Sequence, residues 1–294
     1  MIVDRLYDVI EEKGNVCLGL DVDMSYIPEE FRSRFESDGD AIFEFNKEII
    51  DATADVVACY KPQIAYYEAC GIEGLKAYAK TLKYIKEKGA LSIADIKRGD
   101  IARTAEMYAK AHFTGEFEAD FITLSPYMGL DSIEPYITYI ENNEKGVFIL
   151  IRTSNKGSKD IQYIQNSDGG RVYNNVGEAV NNLGKKYVGK CGYSSIGGVV
   201  GCTHVDEGIE IRNKLDSTFF LIPGYGAQGG KAEDVALYLK DGNGGVVNSS
   251  RGILLAYRKH EDGEKNFAAY ARKEAIRMRD EIRDAVKAAK NIQR

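Results

Sequence analysis

Short apolar runs alternate with amphipathic stretches from one end of the chain to the other. The runs fall at residues 16–22, 56–60, 91–96, 121–124, 147–151, 196–201, 219–223 and 245–248. Nearly unbroken runs of this length suit strands covered on both faces, as in a parallel sheet. Helical periodicity fills the intervals at 40–55, 71–88, 101–117, 131–143, 174–190, 205–214 and 231–240. In the first of these, Ile42, Phe43, Phe45, Ile49 and Ile50 gather on one side. A short amphipathic helix opens the chain. A long one at 265–290, rich in Ala, Lys, Arg and Glu, closes it with a solvated charged face.

Eight strand–helix units predict an α/β fold, a (β/α)8 TIM barrel, with residues 1–294 forming one domain. Alternation alone leaves a doubly wound open sheet as the other solution. Residues 155–174 break the rhythm. They are polar, contain glycine and are weakly periodic, and a loop of that length reads as a lid or as a tolerated surface insertion.

Composition narrows the field. Apolar residues are 44% of 294, enough for a large core, and the formal net charge is −6. Nucleic-acid binders are usually basic, so no nucleic-acid partner is expected, and an anionic ligand must be held by a local cluster of cations and amides. The five cysteines are odd in number and show no CxxC spacing, which suits reduced thiols in the cytoplasm. The opening residues carry acidic side chains, unlike a signal peptide, and no apolar run reaches membrane-spanning length. The Asn248-Ser249-Ser250 glycosylation pattern follows a buried-type strand and reads as chance.

The chemistry-bearing residues collect where the strands end, as barrel sites do. Asp21 follows the first strand and Lys61 the second; Asp95, Lys97 and Asp100 follow the third; Ser154 follows the fifth, Gln228 the seventh and Arg251 the eighth. In extended backbone Asp95 and Lys97 share a side. With Lys61 and Asp100 they form an array of alternating charge, which suits either catalysis or an ion-pair network closing the barrel mouth. Residues 223–230, Pro-Gly-Tyr-Gly-Ala-Gln-Gly-Gly, contain G-x-G-x-x-G. A dinucleotide fingerprint belongs to the first βα turn of its unit, whereas barrels bind phosphate after strands seven and eight. The glycines are expected to present amides, the next helix its N-terminus, and Arg251 a planar cation. The three histidines, His112, His204 and His260, lack metal-ligand spacing, and His204 reads as a helix-start or packing residue. No Ser-His-Asp order appears, and the nineteen tyrosines look like core and rim residues.

With these residues in this order, the chain resembles the orotidine 5′-phosphate decarboxylases, in particular their longer bacterial form. The most specific element is Ala94-Asp95-Ile96-Lys97-Arg98-Gly99-Asp100-Ile101, with Thr104 behind it. Leu18-Gly19-Leu20-Asp21, Cys59-Tyr60-Lys61-Pro62, Arg152-Thr153-Ser154-Asn155 and the glycine loop fall in the expected order. D-x-K-x-x-D alone marks a wider suprafamily that includes sugar-phosphate decarboxylases and aldolases; the glycine loop with Arg251 narrows it.

The resemblance implies decarboxylation of orotidine 5′-monophosphate to uridine 5′-monophosphate, the last step of de novo pyrimidine synthesis, with no metal or organic cofactor. It implies Lys61, Asp95, Lys97 and Asp100 as the catalytic tetrad, with Lys97 as proton donor. Asp100 and Thr104 would reach into the partner's site of a homodimer. Asp21 and Lys61 would meet the ribose, Ser154 (or Thr153) and Gln228 the base, and Pro223, Gln228, Gly229 and Arg251 the phosphate side. The rivals are a metal-dependent sugar-phosphate decarboxylase or aldolase, and a phosphate-binding barrel without catalysis.

Overall fold

The computed structural model describes residues 1–142, 144–167, 169–226 and 229–292. Its strands are β1 (Val16–Gly19), β2 (Cys59–Lys61), β3 (Leu91–Arg98), β4 (Phe121–Leu124), β5 (Gly146–Arg152), β6 (Ser194–Val200), β7 (Thr218–Ile222) and β8 (Gly245–Ser249). All pair in parallel, each with the next, and β8 returns to β1 with Val247 opposite Val16. The barrel is closed, so the open-sheet alternative falls.

The helices are α1 (Ile2–Lys13), α2 (Glu29–Arg32), α3 (Asp38–Thr53), α4 (Ile64–Glu68), α5 (Gly71–Glu87), α6 (Ala102–Phe113), α7 (Glu134–Glu141), α8 (Val172–Gly184), α9 (Val205–Lys214), α10 (Ala232–Ala236), α11 (Arg251–Leu254) and α12 (Phe267–Ile292). Three depart most from the expected bounds. α6 stops at Phe113, where Thr114 is extended and Gly115 takes φ +76°, before a 3-10 turn at Gly115–Phe117. α10 keeps only five residues of the interval 231–240. α8 begins at Val172, inside the stretch read as irregular. The single turns α2 and α4 are too short to leave a periodic signature.

Burial explains the order. The outer core lies between sheet and helices, with Phe45 and Phe267 stacked and Phe31 edge-on to both where α2, α3 and α12 meet. The inner core joins barrel residues such as Cys17, Cys59, Ile93, Phe121, Phe148 and Phe219 to Ile2, Val3, Leu6 and Ile10 of α1. Asp4 accepts from the Cys191 amide, and Asn243 donates to the Tyr7 carbonyl, both just ahead of strands. α1 therefore stoppers the end of the barrel where the strands begin and leaves the other end for the site. Each fully buried aliphatic side chain on that face contributes about 1.5–3 kcal/mol relative to exposure. All five cysteines are free thiols. No helix among the described residues is long and apolar enough to cross a membrane.

His112 is packing material inside this shell. It is 3% exposed, its ring lies against Phe117, and its Nδ1 has no partner among the described residues. Burial, helped by the Arg98 charge, pushes its pKa from 6.5 down to about 4. The unfolded ring binds a proton first, so this neutral histidine adds stability above pH 6.5 that is lost as the pH falls towards 4. Chemical denaturation across that window should show a loss that is shallower in His112→Gln, by on the order of 2–3 kcal/mol. Parallel pH profiles for the two proteins would contradict this.

Candidate functional site

At the carboxyl end of the strands a buried carboxylate sits between two ammonium groups. Asp95 Oδ2 accepts from Lys61 Nζ at 2.9 Å, and Asp95 Oδ1 accepts from Lys97 Nζ at 2.6 Å. Lys61 also reaches Asp21 at 3.4 Å. The Asp95 and Lys61 side chains are 9% and 5% exposed, whereas that of Lys97 is 47% exposed. The array is therefore rooted in the barrel and ends in a cation open to solvent.

A hydroxyl that sequence reading missed holds this arrangement. The register between β3 and β4 shifts between Ala94 and Arg98, as at a bulge. Over that shift Thr123 of β4 substitutes for the ladder: its Oγ1 accepts from the amides of Ile96 (3.0 Å) and Lys97 (2.9 Å) and donates to Asp95 Oδ1 (2.9 Å). Bulges commonly re-aim side chains at active sites. Here Lys97 takes φ +44°, a left-handed conformation rare for a side chain of its length. Lys97 and Asp95 do share a side, but through this turn and not through the alternation of a regular strand. The available signal was Thr123 itself, the one polar residue in the run Phe121–Leu124.

The charges sustain one another. Burial alone would raise the Asp95 pKa, but Lys61 and Lys97 outweigh it and hold the carboxyl well below its usual range. Burial alone would lower the Lys61 pKa, but Asp21 and Asp95 outweigh it and hold the ammonium well above its usual value. Both groups are thus ionised across the neutral range.

Above the array opens a cavity of about 540 Å³, of a size that suits a small-molecule ligand. Asp21, Lys61, Asp95, Lys97, Ser154 and Pro223 of the expected set line it, together with Thr153. Gln63, Tyr66, Thr123, Asn155 and Asn248 line it as well, unanticipated. Asp100 and Thr104 are not among its lining residues. Asp100 Oδ1 accepts from the Ile101 amide at 2.8 Å, and Thr104 lies exposed at the start of α6 between exposed Ile101 and Met107. The chain therefore does not bring the fourth charge of the array to its own cavity. His204 is the N-cap residue of α9, as expected, and its Nδ1 lies 3.0 Å from Thr203 Oγ1.

The glycine loop departs from expectation. Gln228 lies outside the described residues. Gly224, Gly226 and Gly229 take φ +103°, +67° and +96°, values that glycine adopts freely. The loop folds on itself: Gly226 donates to the Gly230 carbonyl, Gly229 to Gly226 and Gly230 to Gly224. Those three amides are engaged within the loop and not offered to an anion. At the N-terminus of α10 the Lys231 amide is likewise engaged, donating to Asp234 at 3.1 Å. Arg251, the exposed first residue of α11, has no side-chain hydrogen-bond or ion-pair partner among the described residues and is free to meet an anion. No cluster of three or more His, Cys, Asp and Glu among the described residues is placed to hold a metal ion.

Residues 14–265 match the model of the "Orotidine 5′-phosphate decarboxylase / HUMPS family". The chain is 67% identical to a Clostridium kluyveri protein named orotidine 5′-phosphate decarboxylase, over 96% of this chain and 97% of that one. It is 69% identical to the Clostridium acetobutylicum protein of the same name, over 96% and 99%. A solved structure of Leishmania donovani OMP decarboxylase superposes with a TM-score of 0.76 at 30% identity, covering 97% of this chain and 98% of that one.

The left-handed turn at Lys97 has a measurable cost. Glycine adopts φ > 0 without strain, whereas a Cβ there costs about 1 kcal/mol or more. Lys97→Gly should therefore be about 1 kcal/mol more stable than Lys97→Ala in urea denaturation. Equal stability, or a more stable alanine variant, would show that the backbone is not strained at this position.

Proposed function

The chain belongs to the orotidine 5′-phosphate decarboxylase / HUMPS family, and from that premise we propose that its Lys61–Asp95–Lys97 array decarboxylates orotidine 5′-monophosphate without a metal or organic cofactor. The Clostridium kluyveri and Clostridium acetobutylicum relatives, at 67% and 69% identity, both carry the decarboxylase name, which favours this substrate over the sugar phosphates of the wider suprafamily. The observation that carries the mechanism is the exposed ammonium of Lys97 held beside the buried carboxylate of Asp95.

Breaking the bond between C6 and its carboxylate leaves an electron pair in an orbital orthogonal to the ring π system. Resonance offers no sink, so preorganised charge must stabilise it. Lys97 Nζ supplies positive charge beside C6 and then donates a proton to it as CO₂ departs. Lys97 recovers that proton from solvent. Asp95 faces the leaving carboxylate, and their repulsion ends when neutral CO₂ forms. Lys61 keeps Asp95 ionised, and with Asp21 it meets the ribose hydroxyls. Ser154 or Thr153, with Gln228, meets the base. Pro223, Gly229 and Arg251 receive the phosphate, whose binding energy, remote from the reacting bond, helps close the site. Because the glycine-loop amides are internally bonded, phosphate binding in this reading rearranges residues 223–230.

Asp100 and Thr104 serve the partner's site of a homodimer. Their absence from the lining of their own cavity and the exposed apolar residues Ile101, Met107, Tyr127 and Met128 support that arrangement. Five free thiols suit the cytoplasm.

Purified protein should consume the ultraviolet band of orotidine 5′-monophosphate, with and without a chelator. Lys97→Ala should leave less than about a hundredth of that rate, the usual scale of a lost general acid. Activity that vanishes with chelator and returns with magnesium would assign the chain to the metal-dependent branch, and Lys97→Ala near wild-type rate would remove the proton donor.

Shared sites make a second expectation. Lys97→Ala and Asp100→Ala should each be impaired alone, yet mixing them with subunit exchange should restore roughly a quarter of wild-type activity, because half the dimers then hold one intact site. No recovery despite demonstrated exchange would place both residues in one chain's site.

A further inference from the structure

The stretch after β5, residues 155–174, is tied both to the barrel and to the cavity wall. The tie to the barrel is Glu207 of α9, which accepts from Arg152 Nε at 2.9 Å, from Arg171 Nη1 at 3.2 Å and from Tyr163 OH at 2.5 Å. Arg152 is 1% exposed and also donates to Tyr163 OH at 2.7 Å. Tyr163 therefore cannot drift without leaving a buried cation underpaired. Next to it, Gln162 is fixed on both sides of its own backbone, its amide donating to Ser158 O at 2.8 Å and its carbonyl accepting from the Tyr173 amide at 3.2 Å.

From that fixed point the Gln162 side chain reaches back to the cavity. Its Oε1 accepts from the Thr153 amide at 3.0 Å, and its Nε2 donates to Thr153 Oγ1 at 2.7 Å. Thr153 Oγ1 in turn donates to Asn155 Oδ1 at 2.7 Å. One carboxamide thus grips Thr153 by main chain and side chain, and through it orients Asn155. Ser154 is confined from the opposite side. A Cβ added at Gly201 would lie 3.0 Å from Ser154 Cβ and 3.1 Å from its amide nitrogen, so that wall rests directly on the backbone after β6.

We propose that Gln162 is a positioning residue, and that the inserted stretch 155–174 exists in part to hold Thr153, Ser154 and Asn155 against the pyrimidine face of the substrate. This rests on the reading above that the Thr153–Ser154 edge meets the base. Gln162 itself does not line the cavity, so it acts through Thr153, and its removal should affect recognition of the base alone.

The test compares two ligands on the full-length protein by calorimetry: uridine 5′-monophosphate, which has a base, and ribose 5-phosphate, which has none. Gln162→Ala should weaken the nucleotide about tenfold, the scale of one or two lost hydrogen bonds, and leave ribose 5-phosphate within about twofold. Gln162→Glu keeps an acceptor for the Thr153 amide but loses the donor to Oγ1, and should fall between. Gly201→Ala presses on Ser154 from the other side and should show the same selective loss. The kcat/KM for orotidine 5′-monophosphate should fall in step with nucleotide affinity. Equal losses for the two ligands, or unchanged nucleotide binding in Gln162→Ala, would overturn the proposal. Failure of the underlying functional reading looks different, because the wild-type protein would then not turn over orotidine 5′-monophosphate at all.

Discussion

Everything at the open end of this barrel depends on one buried anion kept ionised. Asp95 has left water, which by itself favours the neutral acid, yet two lysines reverse that preference, and a threonine hydroxyl donates to the same carboxylate. Removing a single partner from such a group typically costs about 3–5 kcal/mol, because the remaining charge is left buried and unpaired. Lys61 is held by Asp95 and Asp21, and Thr123 by Asp95 and two amides, while Lys97 presents the most exposed charge of the array to a ligand.

The same constraint orders the structure around it. α1 fills the far end of the barrel, so the near end is where charged side chains can converge above an apolar interior. The bulge in β3 frees two amides that a regular ladder would use, and Thr123 collects them while also pinning the carboxylate. Strain at Lys97 and satisfaction at Thr123 are two sides of one local distortion. Strained, over-determined backbone of this kind concentrates at functional sites.

Much of this was legible in the residues. Strands buried on both faces must be apolar throughout, so all eight stood out as runs, and the polar residues that end them marked one rim of the barrel. Asp21, Lys61, Asp95, Lys97, Ser154 and Pro223 do meet at one cavity. What escaped notice depends on interactions without a pattern. A lone Thr123 in an apolar strand reads as a tolerated exception until the register shift beside it is visible. The one-turn helices α2 and α4 have no period to detect. The glycine loop suggested free amides, because composition reports conformational freedom and not which carbonyls the amides will find. Residues 155–174 looked structureless because their order comes from Gln162, Tyr163 and Arg171 reaching distant partners, Arg152 and Glu207 among them.

The most direct measurement is the protonation state of Asp95 in the ligand-free protein. Carboxyl carbon resonances recorded from about pH 8 to pH 4, with the Asp95 signal identified by its loss in Asp95→Asn, report it without reference to turnover. A carboxylate held between Lys61 and Lys97 should keep its ionised shift over the whole range, since its pKa lies well below the usual carboxylate value. A titration midpoint inside that range would mean that burial outweighs the two lysines. The charged array on which the chemistry and the local fold both depend would then not exist as described.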